Sequence, residues 1–169
     1  MNVSEDNNIY KLDTAEKLRE IYKSPKDTAI RKQTDHITEP GRAMIEASPM
    51  IMMATANSNG VDVSPKGDQP GFVHILDEKT LLIPDRPGNN RIDGITNLIE
   101  NPQIGIIFLV PGNNSTYRVN GTAHVSNAPD LLQRFLVNDR PPKTVLVVKV
   151  EEAFSHCPKA FIRADLWSE

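Results

Sequence analysis

The sequence lacks several features that whole classes of protein require. It has one cysteine, Cys157, in 169 residues, which excludes an intrachain disulfide framework and a cysteine-rich zinc site. Its 19 Lys and Arg are outnumbered by 22 Asp and Glu, and this balance argues against a sequence-blind nucleic-acid-binding protein. No apolar run approaches the roughly 20 residues that span a bilayer, and the polar N-terminus has no signal-peptide pattern. We therefore expect a soluble, cytoplasmic protein with no nucleic-acid or membrane partner.

The middle and C-terminal parts of the sequence predict a mainly β fold. About six strand-like runs, between residues 50–56 and 144–150, are joined mostly by hairpin-length turns. Such connections favour an antiparallel closed or half-closed barrel over a doubly wound parallel sheet. Helical patterns precede these runs. We therefore divide this single-domain chain into a helical N-terminal extension, 1–40, and a β domain, 41–169.

Three helix starts are predicted before the first strand. Asp13 begins a capping-box-like pattern, and Ser24 followed by Pro25 resembles an N-cap with proline at the first helical position. Thr38 is a third candidate N-cap, for a helix that ends before Pro49.

The most informative stretch is the loop at residues 84–91. It lies between a predicted strand and a helix N-terminus, where the first backbone N–H groups have no intrahelical partner and an anion is favoured. Gly88 lets the backbone approach a ligand closely. Arg86 and Arg91 can supply paired donors to phosphate oxygens. The alternative interpretation is a capped surface loop with solvated arginines.

Two further stretches contain candidate ligand contacts. Pro65 within a strand-like run predicts an edge or a bulge, with Lys66 nearby as a point charge; a plain bulged hairpin is the alternative. Lys159, Arg163 and Trp167 are spaced by four residues, so a helix would place them on one face. That face suits an anionic aromatic ligand or a partner surface, unless the tryptophan packs on the body of the protein.

Nucleophilic and metal chemistry receive little support from the sequence. His156 stands beside Cys157, but neighbouring residues rarely bring a thiolate and a base within reach of each other. The remaining histidines have no metal-ligand spacing, so we expect no metal. The carboxylates show no pairing that distinguishes an acid from a base. We assign no catalytic residue.

Three stretches of the sequence together resemble one protein family. They read SPKGD at 64–68, DRPGNNR at 85–91 and HCPKAFIRADLW at 156–167. These runs resemble the FMN-binding split-barrel flavoproteins related to pyridoxamine 5′-phosphate oxidase. The resemblance extends over about residues 42–167 and is greatest to an uncharacterised branch of that group.

The resemblance implies a homodimer of six-stranded antiparallel split barrels with peripheral helices, and two FMN molecules at the dimer interface. The implied FMN-binding residues are Ser64, Lys66, Pro84, Asp85, Asn89, Asn90, Arg91, Lys159, Arg163 and Trp167. In such proteins the loop between strand and helix, here the one with Asn89, Asn90 and Arg91, holds the phosphate. The flavin ring lies along the strand that contains Ser64 and Lys66. Lys159, Arg163 and Trp167 match a region near the C-terminus that reaches FMN in such proteins. That region can belong to the partner subunit.

The implied activity is that of an FMN-dependent oxidoreductase acting on an unidentified small molecule. The vitamin-B6 oxidases carry an extended arginine-rich C-terminal segment that grips the substrate phosphate, and the sequence here ends at Glu169 without one. We therefore do not expect pyridoxamine-phosphate oxidase activity itself. One alternative is a flavin-binding module that stores, senses or passes on FMN or electrons. Another is a relative that holds a deazaflavin or haem in the same barrel.

Overall fold

The computed structural model describes residues 10–167, which divide into two compact units after Arg31. The first unit contains two short helices, α1 (Ala15–Ile21) and α2 (Asp27–Ile30), and none of their residues is buried. Our division at residue 40 stays a prediction.

Both helices of the first unit begin later than the sequence predicts. The Thr14 hydroxyl caps α1 by accepting a hydrogen bond from the Lys17 N–H, so the cap lies one residue beyond Asp13. The second helix begins after Lys26, without a side-chain cap, rather than at Ser24. Threonine serves as an N-cap by the same hydroxyl chemistry as serine.

The second unit is built on a seven-stranded antiparallel sheet. Its strands are β1 (Met50–Asn57), β2 (Gly60–Gly67), β3 (His74–Asp77), β4 (Thr80–Pro84), β5 (Gln103–Leu109), β6 (Thr116–Ser126) and β7 (Val145–His156). They lie in the order β2-β1-β5-β6-β7-β4-β3. The mainly antiparallel β fold is therefore confirmed, with seven strands where the sequence predicts about six.

Helices surround this sheet. They are α3 (Glu39–Ala47), α4 (Asp93–Glu100), α5 (Pro129–Leu132), which continues into a 3-10 turn (Gln133–Phe135), and α6 (Lys159–Ala164). The Thr38 hydroxyl caps α3, as predicted, by accepting a hydrogen bond from the Gly41 N–H. No helix among residues 10–167 is long and apolar enough to cross a membrane.

One side of the sheet forms the hydrophobic core. Side chains alternate between the two sides of a strand, so every second residue of β1, β5 and β6 is buried. Ile51, Ile106 and Val119 are among them. A buried hydrogen bond from the Asn97 amide to the Thr55 hydroxyl, 3.1 Å long, connects α4 to β1.

A β-bulge in β7 interrupts its long pairing with β6, opposite Asn120 and Gly121. The register shifts between Asn120 and Gly121, and a Cβ on Gly121 would lie 2.0 Å from the Lys149 carbonyl oxygen, so glycine is required there. Beyond the bulge, β7 continues to pair with β6 as far as His156. The run predicted to end at residue 150 therefore ends six residues later.

The segment before α3 is attached to the sheet by backbone hydrogen bonds. Thr34 exchanges two of them with Ala153 of β7, 3.0 and 2.8 Å long. The Ile37 N–H donates to the Glu78 carbonyl in the turn between β3 and β4, at 2.7 Å. These bonds bring Asp35 next to Lys79, whose ammonium lies 2.7 Å from the carboxylate.

Candidate functional site

A polar cleft of about 410 Å³ opens where β2 approaches the loop that follows β4. We call it the seam cleft, because β2 is at one edge of the sheet and the cleft lies where the barrel is not closed by backbone hydrogen bonds. It is lined by β2, by residues 85–95 and by Lys143. Its volume lies within the range typical of small-molecule sites.

The β2 side of the seam cleft follows from strand alternation. Asp62, Ser64 and Lys66 are two residues apart and share one side of the strand, which continues the core side of β1. Because β2 is an edge strand, its polar side chains extend beyond the core into the cleft. The residues between them, which include Val61 and Val63, point to the opposite side.

Two ion pairs cross the seam, and each side supplies the cation of one pair and the carboxylate of the other. The Lys66 ammonium lies 3.5 Å from the Asp85 carboxylate, and the Arg86 guanidinium lies 2.5 Å from the Asp68 carboxylate. Arg86 also donates to the Phe135 carbonyl, at 2.7 Å. All four charged side chains are largely buried, with exposed fractions between 19% and 28%. The loop after β4 is therefore held on β2 by charges of both signs.

Two cations, Arg91 of the loop and Lys143, lie at the open end of the cleft, beyond these ion pairs. Both Nε and a terminal nitrogen of Arg91 lie 2.8 Å from one Asp93 carboxylate oxygen, and the Arg91 side chain is 72% exposed. The Arg91 N–H donates to the Asn89 side-chain oxygen, at 3.0 Å. The Lys143 ammonium donates to the Asn90 side-chain oxygen, at 3.2 Å. Arg91 and Lys143 are positioned to accept an anionic group from solvent.

The backbone on both sides of Arg91 is left-handed. Asn90 has φ 60° and Ile92 has φ 55°. Asparagine adopts this conformation readily, whereas a β-branched residue does so rarely and at an energetic cost. The fold therefore holds Arg91 in an unusual local geometry at the entrance to α4.

His74 packs next to the residues that hold the loop at Arg86. Its ring lies 4.1 Å from the ring of Phe135, whose carbonyl accepts from Arg86. Burial lowers the pKa of His74 below its ordinary value, and the guanidiniums of Arg134 and Arg86 lower it further. Burial and the neighbouring positive charges therefore favour the neutral form of this imidazole.

The structure gathers most of the residues implied by the sequence. Six of the ten line the seam cleft: Ser64, Lys66, Asp85, Asn89, Asn90 and Arg91. Pro84 lines an adjoining cleft of about 410 Å³ that shares Ser64 and Lys66 with the first. Arg86 reaches both clefts, but its donors are engaged by Asp68 and Phe135, so it anchors the loop.

The three C-terminal residues lie elsewhere in the protomer. Asp165, with φ 48°, follows the end of α6, so Trp167 is not on the helix that carries Lys159 and Arg163. The Trp167 indole donates to the Asn113 carbonyl at 3.0 Å. None of the three lines either cleft in the described part of the protomer. Their contact with FMN stays a prediction, and it requires a partner subunit.

The sequence analysis did not assign several residues of the site, among them Asp62, Asp68 and Lys143. Asp62 shares the alternation of Ser64 and Lys66 on β2, and this pattern was sufficient to find it. Asp68 stands in the SPKGD run, but its ion pair with Arg86 was not predicted, and Lys143 gave no local signal, because each reaches the loop through a contact that is distant in sequence.

The other side of the sheet, next to the seam, is apolar and uncovered in the protomer. Residues directly opposite one another on neighbouring strands share a face. The apolar face, as we call it, consists of Met52, Ala54, Val61, Val63, Pro65 and Ile107. Val61 and Val63 are 76% and 59% exposed. Contiguous exposed apolar surface is a common feature of protein interaction sites.

The antiparallel sheet, with its polar seam and its peripheral helices, defines a split β-barrel protein. Comparison with known families then places the chain within this class. A model of pyridoxamine 5′-phosphate oxidase matches residues 37–157. The chain therefore belongs to the pyridoxamine 5′-phosphate oxidase family. No curated protein matches it significantly.

Solved structures agree with this assignment. HupZ of Group A Streptococcus is 25% identical, with a TM-score of 0.57, over 70% of this chain and 93% of HupZ. A proposed pyridoxamine 5′-phosphate oxidase of Lactobacillus delbrueckii is 21% identical, with a TM-score of 0.55, over 72% of this chain and 95% of the other. General Stress Protein 26 of Bacillus anthracis is 15% identical, with a TM-score of 0.50, over 68% and 88%. The latter two are similar in fold.

Proposed function

We propose that this protein binds FMN in the seam cleft and acts as an FMN-dependent oxidoreductase on a small molecule. The observation that carries the proposal is the convergence of Lys66, Arg91 and Lys143 on one cleft from three separate parts of the chain. A phosphate monoester of about −2 charge needs cations from more than one segment to neutralise it. The sequence motifs around two of these cations are those that the resemblance connects with FMN.

The open end of the cleft suits the phosphate. Arg91 supplies a planar fork of donors and Lys143 a point charge. Asn89 and Asn90 fix the positions of these two groups through their side-chain oxygens. The space in front of Gly88 is open, since a Cβ there would meet nothing within 4 Å. A ligand therefore has access to the loop backbone.

The closed end of the cleft suits the flavin ring. Ser64 and Lys66 line it from β2, and the Lys66 ammonium is balanced by Asp85. FMN supplies the transfer of electrons or hydride when it is bound, while the protein supplies binding, orientation and charge. A cation held at this end would stabilise negative charge on a reduced ring, and Asp85 would limit that effect.

We further propose that two copies of the chain pair through the apolar face. Burial of Val61 and Val63 in a partner would remove their exposed apolar surface from water. Pairing through this face would also bring a second chain to the edge strand that lines the cleft. Lys159, Arg163 and Trp167 of that second chain are then the candidates for completing the FMN site.

A non-catalytic flavin-binding module is the second candidate function. Within the described residues, the lining of the seam cleft contains no histidine, cysteine or tyrosine. It therefore lacks the side chains that most readily exchange a proton near neutral pH. A protein that only stores FMN or passes on its electrons needs no such group.

Absorption spectroscopy of the isolated full-length chain tests the proposal. We expect the visible bands of oxidised flavin, FMN in the extract after denaturation, and a dimer in light scattering. Reduction by NADH or NADPH, followed by reoxidation with an acceptor, supports an oxidoreductase. Tightly bound FMN that undergoes neither step supports the carrier module. A protein that retains no flavin after incubation with excess FMN contradicts both, and a deazaflavin or haem spectrum replaces FMN as the ligand.

A further inference from the structure

Asp62 differs from the other acidic residues that line the seam cleft. Asp85 is paired with Lys66, and Asp93 is paired with Arg91. The Asp62 carboxylate has neither an ion pair nor a hydrogen bond among residues 10–167. It is therefore the cleft's one carboxylate, within this part of the chain, whose charge no cation balances.

The Asp62 carboxylate lies beside the first turn of α4, just after Arg91 in the chain. A Cβ on Gly94 would lie 2.9 Å from an Asp62 carboxylate oxygen, so a larger residue there would displace the carboxylate. Gly94 is three residues beyond Arg91 in the chain. Arg91 and Asp62 also line, together with Asp93, a second groove that adjoins the cleft. The Asp62 charge thus lies in the same part of the cleft as the group proposed to hold phosphate.

We infer that Asp62 lowers the affinity of the seam cleft for a phosphate group, so that a phosphorylated flavin binds less tightly than the cations of the cleft alone would allow. This inference rests on the proposed function, because it concerns the phosphate of the proposed ligand. An unbalanced carboxylate repels a phosphate dianion, and the repulsion is strong in a partly desolvated site. The flavin ring carries no comparable charge, so its contribution to binding is independent of Asp62.

The inference has a signature that separates it from other roles of Asp62. Replacement of the carboxylate by an amide removes the charge and keeps the shape. Repulsion predicts tighter binding of FMN and unchanged binding of riboflavin, which lacks the phosphate. A carboxylate that accepted a hydrogen bond from a ligand hydroxyl would give the opposite result, since both ligands carry the hydroxyls and both would bind more weakly.

The experiment compares full-length wild type, Asp62→Asn and the control Asp130→Asn, which removes an exposed carboxylate on α5. Dissociation constants for FMN and riboflavin are measured by flavin fluorescence, and circular dichroism verifies that each variant is folded. We expect Asp62→Asn to bind FMN about 3- to 30-fold more tightly, as repulsion across several ångströms at an intermediate dielectric implies. Riboflavin affinity should change less than about twofold, and the control should match wild type.

Unchanged FMN affinity in Asp62→Asn overturns the inference, and so does a parallel loss of FMN and riboflavin binding. If the wild type binds neither flavin, the proposed function fails, and inorganic phosphate then tests the inference alone. Its affinity is measured by nuclear magnetic resonance of the Asn89 and Asn90 side-chain amides. Tighter phosphate binding by Asp62→Asn supports the inference, and equal binding by variant and wild type overturns it.

Discussion

The two sides of β2 have opposite chemical character. One side presents Asp62, Ser64 and Lys66 to a polar cleft, and the other presents Val61 and Val63 to solvent. Successive side chains alternate, so one edge strand serves both surfaces without an insertion. The comparison leads us to expect that the proposed ligand binding and the proposed subunit pairing are coupled at this edge, since a change in the position of β2 moves both surfaces together.

The largest expected effect comes from a charge on the apolar face. Val63→Asp places a carboxylate at the centre of the proposed dimer interface and leaves the core of the protomer untouched. Loss of a buried interface residue costs about 2–4 kcal/mol, which corresponds to roughly 30- to 1,000-fold weaker dimerisation. Light scattering over a dilution series measures the change.

Ile99→Asp is the control, because Ile99 is also an exposed aliphatic residue, on α4 and outside the apolar face. It should dissociate like the wild type. A Val63→Asp variant that remains as dimeric as the wild type would show that the apolar face is not the interface. Loss of FMN together with the dimer would demonstrate the coupling between the two sides of β2.

On the polar side, Arg91→Ala should produce the next largest effect. The substitution removes a forked donor and also frees the Asp93 carboxylate, which then repels the phosphate. A charge-assisted hydrogen bond contributes about 1.5–3 kcal/mol, so we expect FMN to bind roughly 10- to 100-fold more weakly. Riboflavin should bind nearly as before, since it has no phosphate.

Fluorescence titration measures both affinities, and Arg140→Ala, a substitution in an arginine that does not line the cleft, controls for the loss of one positive charge. Equal affinity of Arg91→Ala and wild type for FMN would disprove the assignment of the phosphate to this loop. A similar loss for riboflavin would instead indicate that Arg91 maintains the shape of the cleft.

Stability provides a third contrast between the two sides of β2. Asp68→Asn keeps the shape of the side chain but leaves the largely buried Arg86 guanidinium without its ion-pair partner. We expect a loss of about 1–3 kcal/mol in the free energy of unfolding, as for other unsatisfied buried polar groups. Urea denaturation of the protein at low concentration measures it. Val63→Asp should unfold like wild-type protomer in the same assay, and a larger loss for Val63→Asp than for Asp68→Asn would reverse the contrast.

The sequence was sufficient for the parts of this structure that depend on local chemistry. Thr38 caps α3 because its hydroxyl reaches a backbone N–H three residues away, and the loop containing Arg91 was recognised from its own residues. The sequence did not predict the contacts across the seam. Asp68 and Arg86 are 18 residues apart, and their pairing depends on how far β2 and β4 extend. The strand β7 was shortened in the prediction because its pairing beyond the bulge depends on β6, a strand that is distant in sequence.

An exposed ion pair should matter less than the pairs that cross the seam, and pH reveals the difference. Asp35 and Lys79 join the segment before α3 to the turn after β3, in full contact with water. The hydrogen bond from Lys79, with a further one from His36, lowers the pKa of Asp35 from 3.8 to about 2.

An acid whose pKa is lower in the folded state stabilises the fold above its unfolded pKa, and this contribution disappears as the pH falls through the folded pKa. We therefore expect the stability difference between wild type and Asp35→Asn to be present above about pH 4 and to vanish as the pH decreases toward about 2. Urea denaturation across this range measures it, and the difference should remain smaller than that of Asp68→Asn, because solvent screens an exposed pair. A difference that is constant with pH would mean that Asp35 acts through its shape rather than its charge.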